Sequence, residues 1–294
     1  VFTCSAIDEG EAPPVLSAIL KQQSTKTARE LTINGMDVFS GAGVMQGPNN
    51  ILGPAYCTAP VSITVEGANI MTRSLMIFGQ GAILCHPHAR NVVKAVEAED
   101  VPSFRSAMLG WMGHLAMTSI RVVVRGLTRG WSKPAAAGGV TGKYYRRLSW
   151  ASARYALMTD LAMFLIGGEL KSKSKLTGRY ADALSWMYLA TCTLRRFEAE
   201  GRRPEDEVLM RWSVEYALAR VQEAFDGMYA NFEAPVIGLW LRTIGRLSLK
   251  INPLGSEPSD RLGAEVARVT QTLDERYHRL TPMVASADEN TAGA

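Results

Sequence analysis

The chain has 294 residues, 47% of them hydrophobic and 20% charged, with a formal net charge of +4. That length allows about two domains, and the composition supports a real core and excludes a mostly disordered chain. So mild a charge gives no reason to expect a nucleic-acid partner. Cys4, Cys57, Cys85 and Cys192 are scattered without a CxxC pair, which fits reduced thiols better than a disulfide framework or zinc site.

The opening VFTCSAIDEG has no signal-peptide pattern and reads as the middle of a longer protein. Pro13-Pro14 sits where a helix would begin, and the spacing predicts a helix from there to about Asn34, ending at Gly35. Residues 35–62, around GAGVMQGPNNILGP, are expected to be a loosened loop, too long and glycine-rich for a passive connector. Within it Gly41-Ala-Gly43-Val-Met-Gln-Gly47 could bring backbone N–H groups close to an anion. It follows a helix rather than a strand, so it is not a Rossmann fingerprint, and taken alone it is better accounted for as an ordinary loop.

A helix is expected to begin near Glu66, in SITVEGANIMTRSLMIFG. Arg73, the nearest cation, is too far along to be an i, i+4 partner. An acid in a first helical turn is favoured by the helix dipole, which is one explanation of Glu66. The other is a general base, its pKa raised in an apolar pocket for which Ile63, Val65, Ile70 and Met71 are available. Cys85-His-Pro-His88 has metal-capable side chains but no second cluster in sequence to complete a tetrahedral set. A structural role is expected for it and no metal.

An apolar helix is expected over roughly 102–127, and a linker over Ser132–Gly142. From Val101 to Thr159 there is no Asp or Glu but nine Lys and Arg, with Trp111, Trp131, Tyr144, Tyr145 and Trp150 among them. That mixture suits either a solvated basic surface or contact with an anionic membrane. The longest uninterrupted apolar run, LAMFLIGG at Leu161–Gly168, is far short of the ~20 residues of a membrane span.

The second half is periodic. Leu148, Ala151, Tyr155, Met158, Ala162 and Leu165 form one stripe, Tyr180, Leu184, Met187, Thr191 and Leu194 another. Val214, Leu218, Val221, Phe225 and Met228 form a third, and Leu262, Val266, Val269 and Leu273 a fourth. Each spacing lines one helix face, and the whole predicts a bundle of about five helices. Gly167-Gly168, Gly201-Arg-Arg-Pro204 and Asn252-Pro-Leu-Gly255 punctuate it.

The ordered combination of a helix, Asp37-Val-Phe-Ser-Gly-Ala-Gly43, a loop, and Val65-Glu-Gly-Ala-Asn-Ile-Met-Thr-Arg-Ser74 resembles the C-terminal helical domain of acyl-CoA dehydrogenases. MTRSLMIFGQGA and the helical remainder resemble the long bacterial enzymes of fatty-acid β-oxidation, which carry an added helical domain. The resemblance implies an all-α fold divided into 1–98 (partial dehydrogenase helical domain), 99–284 (added helical domain) and a disordered tail at 285–294. It implies that Glu66 is the base removing the α-proton of a fatty acyl-CoA, the β-hydrogen leaving as hydride to FAD to give the trans-2-enoyl-CoA. It places Gly41 and Gly43 at the FAD pyrophosphate, and Gly67 and Asn69 near the flavin. Asp37 stands where the family often has glutamine, and Ala68-Asn69 follow Glu-Gly where hydroxyl and amide side chains are common. The family's N-terminal helical and central β-domains are missing from this sequence, so the isolated chain is expected to bind FAD poorly. The implied partners are a fatty acyl-CoA, an electron-transfer flavoprotein and further copies of the chain. The expected place is the cytoplasm, with peripheral contact at the inner face of a bacterial membrane as the alternative that the basic 101–159 stretch leaves open. A reading from another class makes the piece a non-catalytic oligomerisation or membrane-docking module.

Overall fold

The structure, a computed structural model, describes residues 2–282. The described residues contain helices and turns and no strand, as the periodicity and the resemblance both require. They divide into two units, one built from residues up to Arg73 together with those from Ala267 onward, the other from Ser74–Val266. The division expected after residue 98 falls within the second unit, and the tail expected at 285–294 lies outside the described residues.

The first unit opens with α1 (Phe2–Asp8), α2 (Pro14–Phe39) and the single turn α3 (Gly41–Val44). It continues with α4 (Gly53–Thr64) and the turn α5 (Asn69–Met71). The helix expected to end at Gly35 runs on to Phe39. A Cβ on Gly35 would lie 2.9 Å from the Leu52 side chain, so the glycine serves a close approach within the helix and not its termination. The stretch expected to be one loop over 35–62 is largely helical, leaving only Ser40 and residues 45–52 outside helix. Pro54 at the first turn of α4 is compatible with this, because the N–H that proline lacks has no partner there. The helix expected from Glu66 begins only at Asn69.

A π-helical stretch, Thr72–Gln80, leads into the second unit. There follow α6 (Gly81–Cys85), α7 (Ala89–Glu97), α8 (Val101–Leu127), α9 (Gly142–Leu165), α10 (Ser174–Ala199) and α11 (Glu207–Ala230). A further helix runs through α12 (Pro235–Trp240), a π-turn and α13 (Arg246–Ile251). The chain then passes through α14 (Asp260–Thr270) to α15 (Glu275–Leu280).

The core of the second unit is the packing of α9, α10 and α11. All five residues of the Val214–Met228 stripe are buried, as are Leu148, Ala151, Met158, Ala162, Tyr180, Met187 and Leu194. Leu165 and Leu273, at the ends of their stripes, are exposed. Phe78 stacks on Tyr180 with ring centroids 4.2 Å apart, and the Tyr180 hydroxyl donates to the Met158 carbonyl at 2.9 Å. The expected linker is tied down, since Thr141 is fully buried and its hydroxyl donates to Glu198 at 2.9 Å.

α8 is long and apolar enough to cross a membrane by length and composition. No uninterrupted apolar run marks it in the sequence, because isolated polar residues, Ser106, His114 and Arg121, break the run without removing its mean hydropathy. Of the aromatic residues named in the basic 101–159 stretch, Trp111, Tyr144 and Trp150 are buried core, Tyr145 is half-buried and Trp131 is exposed. Arg146 stacks over Trp131 at 3.6 Å, and Arg154 is buried over Trp150.

Candidate functional site

Glu66 and Gly67 occupy a turn between α4 and α5 with both residues in left-handed conformations, φ 51° and 85°. Glycine adopts this region freely, whereas a glutamate there is strained by about 1 kcal/mol or more, so its neighbours must hold it. Two residues of α2 do so. The Lys21 ammonium donates to the Gly67 carbonyl at 2.7 Å and to Asn69 Oδ1 at 2.8 Å. The Asn69 amide donates to Thr25 Oγ1 at 2.8 Å, and Thr72 Oγ1 donates to the Gly67 carbonyl at 3.1 Å. Lys21 and Thr25 lie one helical turn apart, so a single face of α2 carries the turn.

Glu66 lies ahead of the Ala68 N-cap, outside the first turn, so the helix-dipole explanation of this acid loses its premise. The apolar walls expected from its neighbours are also not formed. Val65, Ile70 and Met71 are exposed, Ile63 is half-buried, and Glu66 itself faces solvent. A turn displays its side chains outward, and walls for such a base must come from groups other than these four. Asn69, expected near a flavin, is engaged at both ends of its amide with α2, where it positions the turn.

The glycine segment sits beside a cleft of about 460 Å³ lined by Met36, Gly43–Gly47, Asn50, Gly53, Pro54, Tyr56 and Cys57. Its organiser is Asn50, which is buried. The Asn50 amide donates to the carbonyls of Gly43 and Met45 at 2.7 and 2.9 Å. Its Oδ1 accepts from the N–H groups of Leu52 and Gly53 at 3.1 and 2.8 Å. The two glycines of the segment differ. A Cβ on Gly43 would meet the Met36 carbonyl oxygen at 2.9 Å, so packing alone demands glycine there. Gly41 faces open space, and no contact or positive φ accounts for it. That open space leaves room for a phosphate-bearing group to approach the Gly41 backbone. Gly43 shapes the segment from behind.

A second polar cluster lies in the second unit. Asp160 is fully buried, and its Oδ1 accepts from Trp111 Nε1 at 2.9 Å and lies 2.8 Å from His86 Nε2. His114 Nε2 is 3.8 Å from Asp160 Oδ2. These three side chains place potential ligand atoms within 4.8 Å of one another, a grouping not visible in the sequence around Cys85-His-Pro-His88. His86 Nδ1, however, accepts the backbone N–H groups of Ala89 and His88 at 2.9 and 3.2 Å. The neutral ring therefore keeps its proton on Nε2, the atom that faces Asp160, and presents a donor where a metal needs a lone pair. The cluster is a buried carboxylate hub joining the start of α7 to α8 and α9. Burial lowers the pKa of His114, with Asp160 opposing the shift, so His114 stands beside the hub as a neutral ring.

Lys21, Thr25 and Asn50 carry the geometry of the first unit, and sequence reasoning passed over all three. The Asn49-Asn50 pair ahead of Gly53-Pro54 is a turn signal that could have found Asn50. Lys21 and Thr25 left no such trace.

The family described as "Acyl-CoA dehydrogenase, C-terminal, bacterial type" matches residues 83–293. The chain belongs to that family. No solved structure matches it.

Proposed function

We infer that the chain is the C-terminal part of an FAD-dependent dehydrogenase that converts fatty acyl-CoA to trans-2-enoyl-CoA in fatty-acid β-oxidation, with Glu66 as its base. Residues 1–98 make the catalytic contribution, and 99–284 are the added helical domain. The observation that carries this reading is the Glu66-Gly67 turn. A strained acid is held in a fixed left-handed pose by Lys21, Thr25 and Thr72, with the family match following it in the chain. Fixing a base by its backbone, with its carboxylate free, suits a group that must meet a C–H bond it cannot hydrogen-bond to beforehand.

In this reading the Glu66 carboxylate takes the α-proton of the thioester. FAD, when bound, supplies the acceptor for the β-hydride. Gly67 leaves room beside the carboxylate, while its carbonyl stays tied to Lys21 and Thr72. Gly41 offers its open backbone to the pyrophosphate, and Asn50 fixes the segment that carries it. Walls that exclude water and raise the base's pKa come from outside residues 63–71. The enzyme works in the cytoplasm as a homo-oligomer, with an electron-transfer flavoprotein as its electron acceptor.

Mixing the full-length protein with palmitoyl-CoA while following the flavin absorbance tests this reading. Bleaching of the flavin is expected. An unaltered spectrum in flavin-loaded protein contradicts it and favours a helical module without catalysis.

A further inference from the structure

α9 buries a cation to which the fold gives no counter-charge. Arg154 is only 6% exposed and lies over the ring of Trp150, one helical turn earlier, its guanidinium carbon 4.7 Å from the ring centroid. Arg154 Nη1 and Trp150 Nε1 are both buried without a hydrogen-bond partner. Both are donors, so neither can satisfy the other. Half-buried Arg246 is held by both oxygens of Asp226 at 2.9 and 3.0 Å, yet no carboxylate among the described residues pairs with the more deeply buried Arg154. Burial lowers the Arg154 pKa, and the group opposing that shift is the phenol of Tyr229 on α11. Tyr229 is itself buried, so its hydroxyl stands in the field of the guanidinium. Gly126 of α8 lies beside the indole N–H without a side chain, and a Cβ there would stand 3.6 Å from Nε1. Buried donors are almost always paired, and an unpaired buried charge is costlier still, so this cluster calls for an acceptor.

The chemistry of the cluster chooses the occupant. Arg154 and Trp150 can only donate, and the Tyr229 hydroxyl can turn its proton the same way. Such a set repels a metal ion and suits an anion. The small remaining exposure of Arg154 admits a small group and no extended peptide or lipid surface. A guanidinium whose face rests on an aromatic ring keeps its edge for planar pairs of oxygens, the geometry of a carboxylate or a phosphate. A halide offers one atom, whereas an oxyanion offers separate oxygens to the arginine and the indole.

We propose that Arg154, Trp150 and Tyr229 form a buried site in the second unit for one small oxyanion, supplied as free phosphate or as the carboxylate of a short organic acid. The site stands apart from the dehydrogenase reading, and the presence or absence of flavin chemistry leaves it intact. Calorimetric titration of the full-length protein with sodium phosphate, and separately with sodium acetate, tests it, with ionic strength held constant by sodium chloride. Saturable binding of at least one is expected. Binding of phosphate alone identifies a phosphate group as the occupant, and binding of acetate alone a carboxylate. Arg154→Met fills similar space without charge or donors and should abolish the binding. Its melting temperature in chloride should not fall, because the group removed is an unpaired buried charge. Trp150→Phe keeps the ring under the guanidinium and removes one donor, so it should weaken binding about tenfold, and it decides the matter if the methionine variant does not fold. Absence of saturable binding of both oxyanions overturns the proposal. So does binding that either folded variant retains in full, which would put the anion at another site.

Discussion

The two units hold themselves together by different means. α9, α10 and α11 each bury a continuous stripe, from Leu148 to Ala162, Leu176 to Phe197 and Met210 to Tyr229. In the first unit α2 buries only Ala18, Ile19, Gln22 and Gln23 over its 26 residues, and α4 buries none. Its defined shape rests instead on polar tethers, Lys21 and Thr25 to the Glu66-Gly67 turn and Asn50 to the glycine segment. Apolar burial is non-directional and stabilises a bundle as a whole, whereas a hydrogen bond fixes one group at one angle. The division of labour matches the proposed roles: rigidity in the second unit, aimed groups in the first.

Substitutions can test that contrast. Phe225→Ala removes a fully buried ring from α11 and should destabilise the second unit by about 3–5 kcal/mol, read as a lower denaturation midpoint. Asp160→Ala leaves the Trp111 and His86 donors buried without their acceptor and should cost about 3 kcal/mol. A wild-type midpoint for either variant would remove the claim that this unit is held by its core and hub.

The first unit should answer differently. Asn50→Ala deletes four hydrogen bonds around the glycine segment and should cost about 1–3 kcal/mol, with greater proteolytic nicking between residues 45 and 52. Gly41→Val and Gly43→Val should part company. The Gly43 variant clashes with Met36 and lowers stability, while the Gly41 variant keeps its melting temperature and loses flavin. Equal flavin retention by the Gly41 variant and the parent would take this segment out of the cofactor site.

The smallest effect concerns pH. His114 in the unfolded chain protonates near 6.5, and burial makes the folded one protonate only at lower pH. As pH falls below about 6.5 the unfolded state binds the extra proton, so stability declines in that window. His114→Gln should flatten this part of the stability profile, and an identical slope in the variant would show that the histidine does not contribute.

The sequence made the core legible because its warrant is local. Period-3.6 stripes such as Val214–Met228 announce a buried face without knowledge of any partner. The tethers were not legible, since their partners are far apart in the chain: Lys21 reaches Asn69 and His86 reaches Asp160, separations of 48 and 74 residues. The Glu-Gly motif is legible through resemblance but its pose is not, because the glycine that follows Glu66 reads as the start of a helix and in fact extends a left-handed turn. α8 was located to within a residue, but whether its second face is covered is a property of the whole surface.

The central claim is that Glu66 is a positioned base. Single-turnover flavin reduction by a fatty acyl-CoA, measured in full-length protein carrying Glu66→Gln, tests it most directly. The amide keeps the shape of the side chain and cannot take the proton, so the reduction rate should fall by about 10²–10⁴ with flavin content unchanged. A rate within a few-fold of the parent would contradict the account and leave the turn a structural one.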